Sequence, residues 1–505
     1  MKRLAVGLFG VVFLSACAGG TTSTGTSTAP RSGGTLKVAL NSELRTLDPL
    51  KSSQVVERQV YYNMYDSLVT IDQSLKIKPG LATSWQYTDP TTLQFTLRSG
   101  VKFHDGTDFN ADAVKFNIDR YMTTPSSTRK SELASVKSVE VISPTTVVFH
   151  LKKADASLLA QLVDRAGMIL SPAAIQKGGA DFGLNPVGAG TGPFEFVEWK
   201  RDDHLTLKKN PNYWVAGRPY LDQVIFRPIT DSNSALAALR TGDIDVATTN
   251  SIADKDITSI KSDSSLIYKD VAGLSFAGFE VHSGAGVFAD KANRQAVAYA
   301  LDRAQIIKNV FFGVHQLSRG PIPPSSWAYD SSEQTYVAAD VAKAKAMATG
   351  FSFALKTPNA PVSIQEATLI KDQLAKAGIT VNIQVEEFGQ ILTETESHKF
   401  DAALVGWSGR IDPDGNMYGW FHTGGSFNDG QYSDTQVDSL LEQARAVSDQ
   451  GQRKTFYDQA QQTLVQDVAY IFIDHGPAQD ITTAKVHNLP LIADTIDRFA
   501  GVWKG

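Results

Sequence analysis

The chain has 505 residues, a formal net charge of −5 and a hydrophobic fraction of 42%. A chain of this length is too long for one ordinary hydrophobic core, so we expect two or three domains. The acidic balance and the lack of a basic block argue against a nucleic-acid-binding protein. Because Cys17 is the single cysteine, an intramolecular disulfide is excluded.

The N-terminus has the features of a secretory signal. Lys2 and Arg3 give it a positive start, and residues 4–13 form an apolar run too short to span a bilayer with the usual flanks. The run ends in LSAC, which resembles the bacterial motif whose cysteine is lipidated and becomes the new N-terminus. We therefore predict a signal peptide at residues 1–16 and a lipid anchor on Cys17. The protein is expected outside the cytoplasm, on the cell surface or in the periplasm.

A tether is predicted directly after the signal peptide. Residues 17–34 read CAGGTTSTGTSTAPRSGG and consist almost wholly of small side chains. Such a segment cannot bury a core, so we expect it to be a flexible connection between the membrane and the folded part.

The first half of the folded part mixes strands with a helix. Residues 34–40 predict a short strand. Residues 52–69 predict an amphipathic helix, since apolar side chains recur at helical spacing; this stripe comprises Val56, Val60, Tyr61 and Met64. Residues 91–98 and 145–151 alternate apolar and polar side chains between turns, as half-buried strands do.

Helices and strands continue to alternate in the second half. Gly242 predicts the end of a helix and the start of a strand. Residues 292–311 predict one long helix with an apolar face, and residues 367–388 predict a helix that stops at Gly378 and is followed by a strand. This arrangement is typical of α/β lobes.

No motif of a common enzymatic chemistry is present in the sequence. There is no Gly-rich phosphate loop before a helix, no His-Glu-x-x-His, no cysteine pair and no Gly-x-Ser-x-Gly. In the glycine-rich segment 188–194, Pro193 excludes the helix that would have to receive a phosphate. We therefore predict no enzymatic activity, no cofactor and no metal site.

Six segments, in the same order, resemble the extracellular solute-binding protein family 5, the substrate-binding components of peptide and nickel ABC importers. They are LRTLDPL (44–50), a long segment (81–120), NPVGAGTGPFEFVEW (185–199), NPNYW (210–214), ALRTGDIDV (238–246) and NRQAVAYALDR (293–303). The resemblance covers nearly all of the chain after the tether. It implies an α/β, bilobal periplasmic-binding-protein fold (type II-like, cluster C) with an extra β-rich subdomain.

The resemblance also implies a division into two lobes. Lobe I is expected to be discontinuous, at residues 35–66, 188–272 and 478–505. Its β-rich subdomain is expected at residues 67–187, and lobe II at residues 273–477. The solute is captured between the lobes, and its contacts with both of them stabilise the closed state that the permease recognises.

The segment GWSGRIDPDGN (406–416) is the main candidate for contact with a solute. Its aspartates have the spacing of the first calcium-loop ligands, but the glycine is displaced and Thr423 stands where the last ligand has to be a carboxylate. Asp412 and Pro413 instead predict a turn. In the peptide-binding members of the family, an aspartate of this loop pairs with the α-amino group of the peptide. Arg410 stands in its place here.

Arg410 changes the kind of solute that we expect. A guanidinium binds carboxylate or phosphate and repels an ammonium group. We therefore predict that Arg410 orients an anionic or neutral polar solute, with Trp407 packing on it and Ser408 hydrogen-bonding to it. The alternative is that Arg410 pairs with Asp412 or Asp414 and only shapes the loop. The sequence leaves both interpretations open.

Further ligand-binding candidates come from position in the family and from aromatic character. Three polar candidates lie where the first lobe is expected to border the cleft. Of the three aromatic candidates, one follows the point where the chain is expected to cross from lobe I to lobe II, and two follow the loop 406–416. These candidates are Ser52, Ser53, Gln54, Phe276, Tyr418 and Trp420.

Together these observations predict the substrate-binding component of an ABC importer. It would capture an oligopeptide or a related polar or anionic small solute and deliver it to a permease with its ATPase subunits. We expect a monomer, tethered through Cys17. Two alternatives stay open: a binding protein for an opine, oligosaccharide, nickel chelate or haem, and a solute receptor of a signalling system.

Overall fold

The computed structural model describes residues 29–347 and 350–505. The signal peptide at residues 1–16, Cys17 and most of the tether at residues 17–34 lie outside the described residues, so those expectations stay predictions. Within the described ranges, no helix is both long enough and apolar enough to cross a bilayer.

A mixed seven-stranded sheet lies where lobe I is predicted, and we use lobe I for this sheet, the elements packed on it and the β-rich region described below. Its strands, in lateral order, are Leu266–Val271, Ala478–Thr483, Val246–Ala247, Thr35–Leu40, Gln223–Pro228, His204–Lys209 and Phe194–Lys200. The strand Thr35–Leu40 confirms the prediction for residues 34–40 and runs parallel to both of its neighbours. Its Val38 and Ala39 belong to two different core clusters, because successive side chains of a strand point to opposite faces.

Helices cover this sheet. The helices that contact it are Val55–Met64, Ser232–Thr241 and Ile257–Lys261. The first is the predicted amphipathic helix, and the four side chains of its apolar stripe are at most 2% exposed. It is shorter than predicted, since the backbone is extended at Tyr65, and residues 69–71 form a strand that pairs with Ile77–Pro79. Gly242 ends the second helix with a left-handed φ of 79°, as predicted.

An antiparallel four-stranded sheet lies in the segment predicted to be β-rich. Its strands, in lateral order, are Ala82–Asp89, Thr92–Leu97, Thr146–Leu151 and Val136–Ser143. The second and third confirm the strands predicted at residues 91–98 and 145–151. The helices of this region are Ala111–Thr123, Leu158–Gln161 and Pro172–Gly178, with 3₁₀ turns at Arg165–Gly167 and Gly179–Asp181. The region has a hydrophobic core of its own.

A six-stranded sheet lies where lobe II is predicted, and we use lobe II for this sheet and the helices around it. Its strands, in lateral order, are Gln316–Leu317, Tyr470–His475, Ala277–Val281, Ala402–Ala403, Ser352–Pro358 and Thr380–Glu386. The helices around it are Lys291–Ala300, Arg303–Val310, Val341–Met347, Pro361–Ala375, Phe388–Glu396, Asp414–Phe421, Thr435–Ala446 and Gln450–Asp467. The helix, stop and strand predicted at residues 367–388 are confirmed, and Gly378 has a φ of 81°.

The single long helix predicted at residues 292–311 is wrong. Two helices, Lys291–Ala300 and Arg303–Val310, replace it. Leu301 between them is extended (φ −89°, ψ 120°), and the Asp302 carboxylate accepts a hydrogen bond from the N–H three residues later. The helical spacing of apolar residues continues through this break, and for this reason the sequence pattern predicted one helix. Asp302 starts the second helix as its N-cap.

The chain passes between the two large sheets twice. The first passage joins Leu266–Val271 to Ala277–Val281, and the second joins Tyr470–His475 to Ala478–Thr483. Two short connections of this kind allow one lobe to move relative to the other.

Candidate functional site

The loop at residues 406–416, whose last three residues begin the helix Asp414–Phe421, lies where the two lobes meet. Trp407 fixes its start: the backbone N–H of Trp407 donates to the Phe276 carbonyl at 2.8 Å, and the N–H of Phe276 donates back at 3.0 Å. The Trp407 indole N–H donates to the Gly415 carbonyl at 3.0 Å and closes the loop. Gly409 has a φ of 82°, and a Cβ there would lie 2.0 Å from a neighbouring carbonyl oxygen, so the loop requires glycine at this position.

Arg410 crosses from lobe II to an aspartate of lobe I. Its Nε lies 3.0 Å from Oδ2 of Asp164, and its guanidinium stacks 4.1 Å from the centroid of the Trp407 ring. The side chain is buried. The alternative in which Arg410 pairs with Asp412 or Asp414 is therefore wrong, because the partner is supplied by the other lobe.

Asp412 and Asp414 are each held by a different arginine. Arg453 donates two hydrogen bonds to Asp412, at 2.9 and 2.7 Å. Arg445 donates two to Asp414, at 2.8 and 2.7 Å. The carboxylate of Asp412 also accepts from the backbone N–H of Asp414 at 3.0 Å, which is the predicted turn. Because each carboxylate is bound by an arginine, the two aspartates hold the shape of the loop.

Three more arginines surround Asp164 and, with Arg410, form what we call the arginine cluster. Arg58 Nε lies 3.0 Å from the Asp164 carboxylate, and Arg165 Nε lies 3.7 Å from it. Arg129 joins through the Ser52 carbonyl, which accepts from Arg129 at 2.8 Å and from Arg165 at 3.0 Å. Arg58, Arg129 and Arg165 come from separate segments of lobe I, whereas Arg410 comes from lobe II.

The charges of the arginine cluster act on one another. Burial, and next the charge of Arg129, lowers the pKa of Arg165 to about 9. Burial likewise lowers the pKa of Arg410 to about 10, against the opposing effect of Asp164. Burial also opposes ionisation of Asp164, but the charges of Arg410 and Arg58 hold the pKa of its carboxyl well below the usual range. The region is therefore a buried, predominantly cationic one.

Several buried polar atoms of this region have no hydrogen-bond partner in the described part of the chain. The atoms on arginine and glutamine side chains are both amide atoms of Gln54, Nε of Arg129, Nε of Arg165, and Nε and Nη2 of Arg410. Oδ2 of Asp164, which lies 3.0 Å from Nε of Arg58 and from Nε of Arg410, also accepts no hydrogen bond there. All five side chains are at most 6% exposed. Since buried polar groups in native proteins are nearly always satisfied, unsatisfied donors in one place indicate groups that a ligand can use.

The serines predicted to line the cleft already take part in hydrogen bonds. The hydroxyl of Ser408 accepts from Arg58 at 2.9 Å. The hydroxyl of Ser52 donates to Glu57 at 2.6 Å, and that of Ser53 donates to Glu396 in lobe II at 2.9 Å. The structure thus places all three serines at or beside the arginine cluster. Their direct contact with a solute stays a prediction.

Phe276 and Tyr418, unlike the three serines, lie among aromatic and charged side chains of lobe II. Phe276 is fully buried, with its ring centroid 5.4 Å from those of Trp420 and Tyr470. The Tyr418 hydroxyl donates to Glu442 at 2.9 Å, and the Arg445 guanidinium lies over its ring. These aromatic residues pack within lobe II, and a role in solute contact stays a prediction for them too.

Sequence reasoning missed Arg58, Arg129, Asp164 and Arg165. A signal was present in two places: Arg58 lies within the apolar pattern of the helix Val55–Met64, and Asp164-Arg165 interrupts an apolar run. Charged side chains at such positions are buried only when they are paired, so they could have indicated a buried polar cluster.

The calcium interpretation finds no support in the geometry. Across residues 29–347 and 350–505, no three His, Cys, Asp or Glu side chains come together in a way that could hold a metal ion.

Residues 76–428 match the model of the bacterial extracellular solute-binding proteins, family 5 Middle. This chain belongs to the extracellular solute-binding protein family 5. As a member of that family it is the substrate-binding component of an ABC importer, and members of the family work outside the cytoplasm. The glutathione-binding protein GsiB of Shigella boydii serotype 4 (strain Sb227) is 30% identical over an alignment of 457 residues, and the match covers 86% of this chain and 87% of GsiB.

Two solved structures of similar binding proteins share the bilobal fold. The periplasmic binding protein DppA of Helicobacter pylori, in complex with the peptide STSA, is 28% identical with a TM-score of 0.88, over 94% of this chain and 98% of that one. The oligopeptide-binding protein AppA of Bacillus subtilis, in complex with a nonapeptide, is 27% identical with a TM-score of 0.87, over 94% and 100%. The predicted α/β, bilobal fold with additional β-rich regions is confirmed.

Proposed function

We propose that this chain captures a small peptide-like, polar or anionic solute at the arginine cluster between its lobes and delivers it to an ABC permease. The observation that carries the proposal is the group of buried, unsatisfied polar atoms on Gln54, Arg129, Arg165 and Arg410. The first three belong to lobe I and the last to lobe II, so one solute could satisfy donors of both lobes.

Closure of the lobes is the mechanism of capture. Lobe contacts already include the ion pair of Arg410 with Asp164 at 3.0 Å and that of Arg45 with Glu396 at 2.9 Å. A solute that bonds to both lobes adds interactions available only in the closed state and shifts the population toward it. The permease can then distinguish the loaded from the empty protein by shape.

The residue limits of the lobes are part of the same proposal. We assign residues 35–66, 188–272 and 478–505 to lobe I, residues 67–187 to its β-rich subdomain and residues 273–477 to lobe II. The strand membership of the three larger sheets supports these limits.

Anchoring is proposed from the sequence alone. A lipid on Cys17, with residues 17–34 as a spacer, would hold the lobes beside the permease in the same membrane. The monomeric state likewise stays a prediction.

Calorimetric titration of the purified chain tests the proposal. The panel contains glutathione, the peptide STSA and a neutral oligosaccharide, and we expect saturable binding with a stoichiometry of one to at least one of the two peptides. Native mass spectrometry of the protein purified from its host, which looks for a co-purified solute, accompanies it. If the folded protein binds neither peptide and carries no solute, the proposal is wrong.

A further inference from the structure

Each carboxylate beside the arginine cluster is already engaged. Asp164 pairs with Arg58 and Arg410, both at 3.0 Å. Glu132 accepts two hydrogen bonds from Arg129, both at 2.9 Å. Both acids are therefore ion-paired with arginine, although Oδ2 of Asp164 accepts no hydrogen bond in the described part of the chain.

Two further acids lie at the edge of the cluster and are engaged as well. Glu57 accepts from the Ser52 hydroxyl at 2.6 Å and from the backbone N–H of Gln54 at 3.1 Å. Glu396 accepts from Arg45 and Ser53, each at 2.9 Å. Burial raises the pKa of Glu57, against the opposing effect of its hydrogen bond from Ser52.

Cations outnumber anions in the arginine cluster. Four guanidinium groups face the carboxylates of Asp164 and Glu132, and Glu57 reaches them only through the Ser52 hydroxyl. The cations stay in excess whether or not Glu57 is counted. An excess of buried positive charge is costly by itself and favours an anionic partner.

The unsatisfied donors of the arginines lie on both sides of the lobe contact. Nε of Arg129 and Nε of Arg165 are on lobe I, whereas Nε and Nη2 of Arg410 are on lobe II. An arginine donates to a carboxylate with directional, charge-assisted hydrogen bonds. One carboxylate can satisfy the donors of one lobe, but donors on both lobes call for two acceptor groups in the solute.

We infer that the arginine cluster selects a solute with two carboxylates, one bound by Arg410 of lobe II and the other by Arg129 and Arg165 of lobe I. Gln54 donates and accepts hydrogen bonds with a neutral polar group of the same solute. This inference rests on the proposed function, because it names the solute class of that site. A solute with one carboxylate leaves buried guanidinium donors unsatisfied, and this penalty is the basis of selection.

A ligand series tests the inference on the unchanged protein. The probes are glutathione, which has two free carboxylates, its monoethyl ester, which has one, and its diethyl ester, which has none. We expect the dissociation constant to rise about 10- to 100-fold with each blocked carboxylate, the range for one hydrogen bond to a charged group. Because no residue is changed, this arm does not depend on a variant that folds.

A variant series assigns the effect to the cluster. With Arg410→Gln, we expect the difference in affinity between glutathione and one of its two possible monoesters to shrink to less than about threefold. The matched control is Arg240→Gln, an exposed arginine paired with Asp263 far from the cluster in the fold, which should leave the full difference. Arg410→Lys keeps the charge without the planar fork and should retain part of it.

The outcomes separate the two claims. If the esters or the peptide STSA bind as tightly as glutathione, the solute class is wrong and the proposed function stands. If Arg410→Gln keeps the full difference between glutathione and each of its monoesters, the assignment of one carboxylate to Arg410 is overturned. If none of these probes binds to the folded protein and no solute co-purifies with it, the proposed function and the inference fail together. If a solute co-purifies and has fewer than two carboxylates, the inference alone is overturned.

Discussion

At the scale of single residues, Asp414 shows how the loop at residues 406–416 is held. It is fully buried, accepts two hydrogen bonds from Arg445 and accepts a third from Gln161 of lobe I at 2.9 Å. A buried ion pair of this kind contributes little over an apolar pair, but its disruption leaves one charge buried without a partner. The loop therefore depends on both members.

Replacing Asp414 by asparagine should destabilise the protein strongly. Asp414→Asn removes the charge and one acceptor from Arg445, and we expect the free energy of unfolding to fall by about 3 kcal/mol, the lower end for a broken buried pair. Urea denaturation followed by circular dichroism measures this. The control is Asp108→Asn, whose pair with Lys102 is exposed (67% for the aspartate side chain) and should change stability by less than about 1 kcal/mol. Equal effects of the two substitutions would contradict the account.

At the scale of elements, the two helices Lys291–Ala300 and Arg303–Val310 show how a capping residue overrides a continuous pattern. Asp302 is exposed and its carboxylate accepts from the backbone N–H of Gln305 at 2.9 Å. This bond satisfies one of the N–H groups that a helix start leaves free. The side chain thus selects where the second helix begins.

The cap can be tested with a matched pair of variants. Asp302→Ala should lower the free energy of unfolding by about 1 kcal/mol, since it removes the acceptor at the N-cap. Asp302→Asn keeps a side-chain oxygen at the same place and should cost only a few tenths of that amount. Both values come from denaturant titration, and a loss as large for asparagine as for alanine would mean that the charge and not the cap matters.

At the scale of the whole molecule, His315 joins the two lobes near the crossing segments. Its Nε2 lies 3.1 Å from Asp254 of lobe I, and its Nδ1 lies 2.5 Å from Asp474 of lobe II. Although burial disfavours its charge, the two aspartates raise the pKa of His315 to about 10. A protonated imidazole between two carboxylates therefore stabilises the contact between these two segments at neutral pH.

The contribution of His315 should depend on pH in a defined window. A raised pKa in the folded state means that the stabilisation is fully present below the unfolded pKa of about 6.5 and is lost as pH rises through about 10. The free energy of unfolding of the wild type, minus that of His315→Gln, should fall by up to about 1.4 kcal/mol per pH unit in this window.

Urea denaturation at pH 6, 8 and 10 measures that difference. Subtracting the value of the variant removes most of the contribution of other titrating groups. One such group is Glu366, because burial raises its pKa to about 8, within the pH range of the measurement. A difference that stays constant from pH 6 to pH 10 would show that His315 is not charged in the folded protein.

Much of the fold was predictable from the sequence because its signals are local. The stripe from Val56 to Met64, the alternating strands at residues 91–98 and 145–151 and the stop at Gly378 depend on neighbouring residues only. The helix predicted at residues 292–311 failed for a related reason, since its apolar period continues past the cap at Asp302. Local patterns predict where an element exists better than where it ends.

The candidate site was predictable only in part. The sequence by itself determined the family, the α/β bilobal fold and the loop at residues 406–416, with Arg410 in place of an acid. The tertiary structure decided that Arg410 pairs with Asp164 while Arg453 and Arg445 hold the two aspartates of the loop. Pairing of charges depends on which distant segments meet when the lobes come together, and no spacing along one segment contains that information.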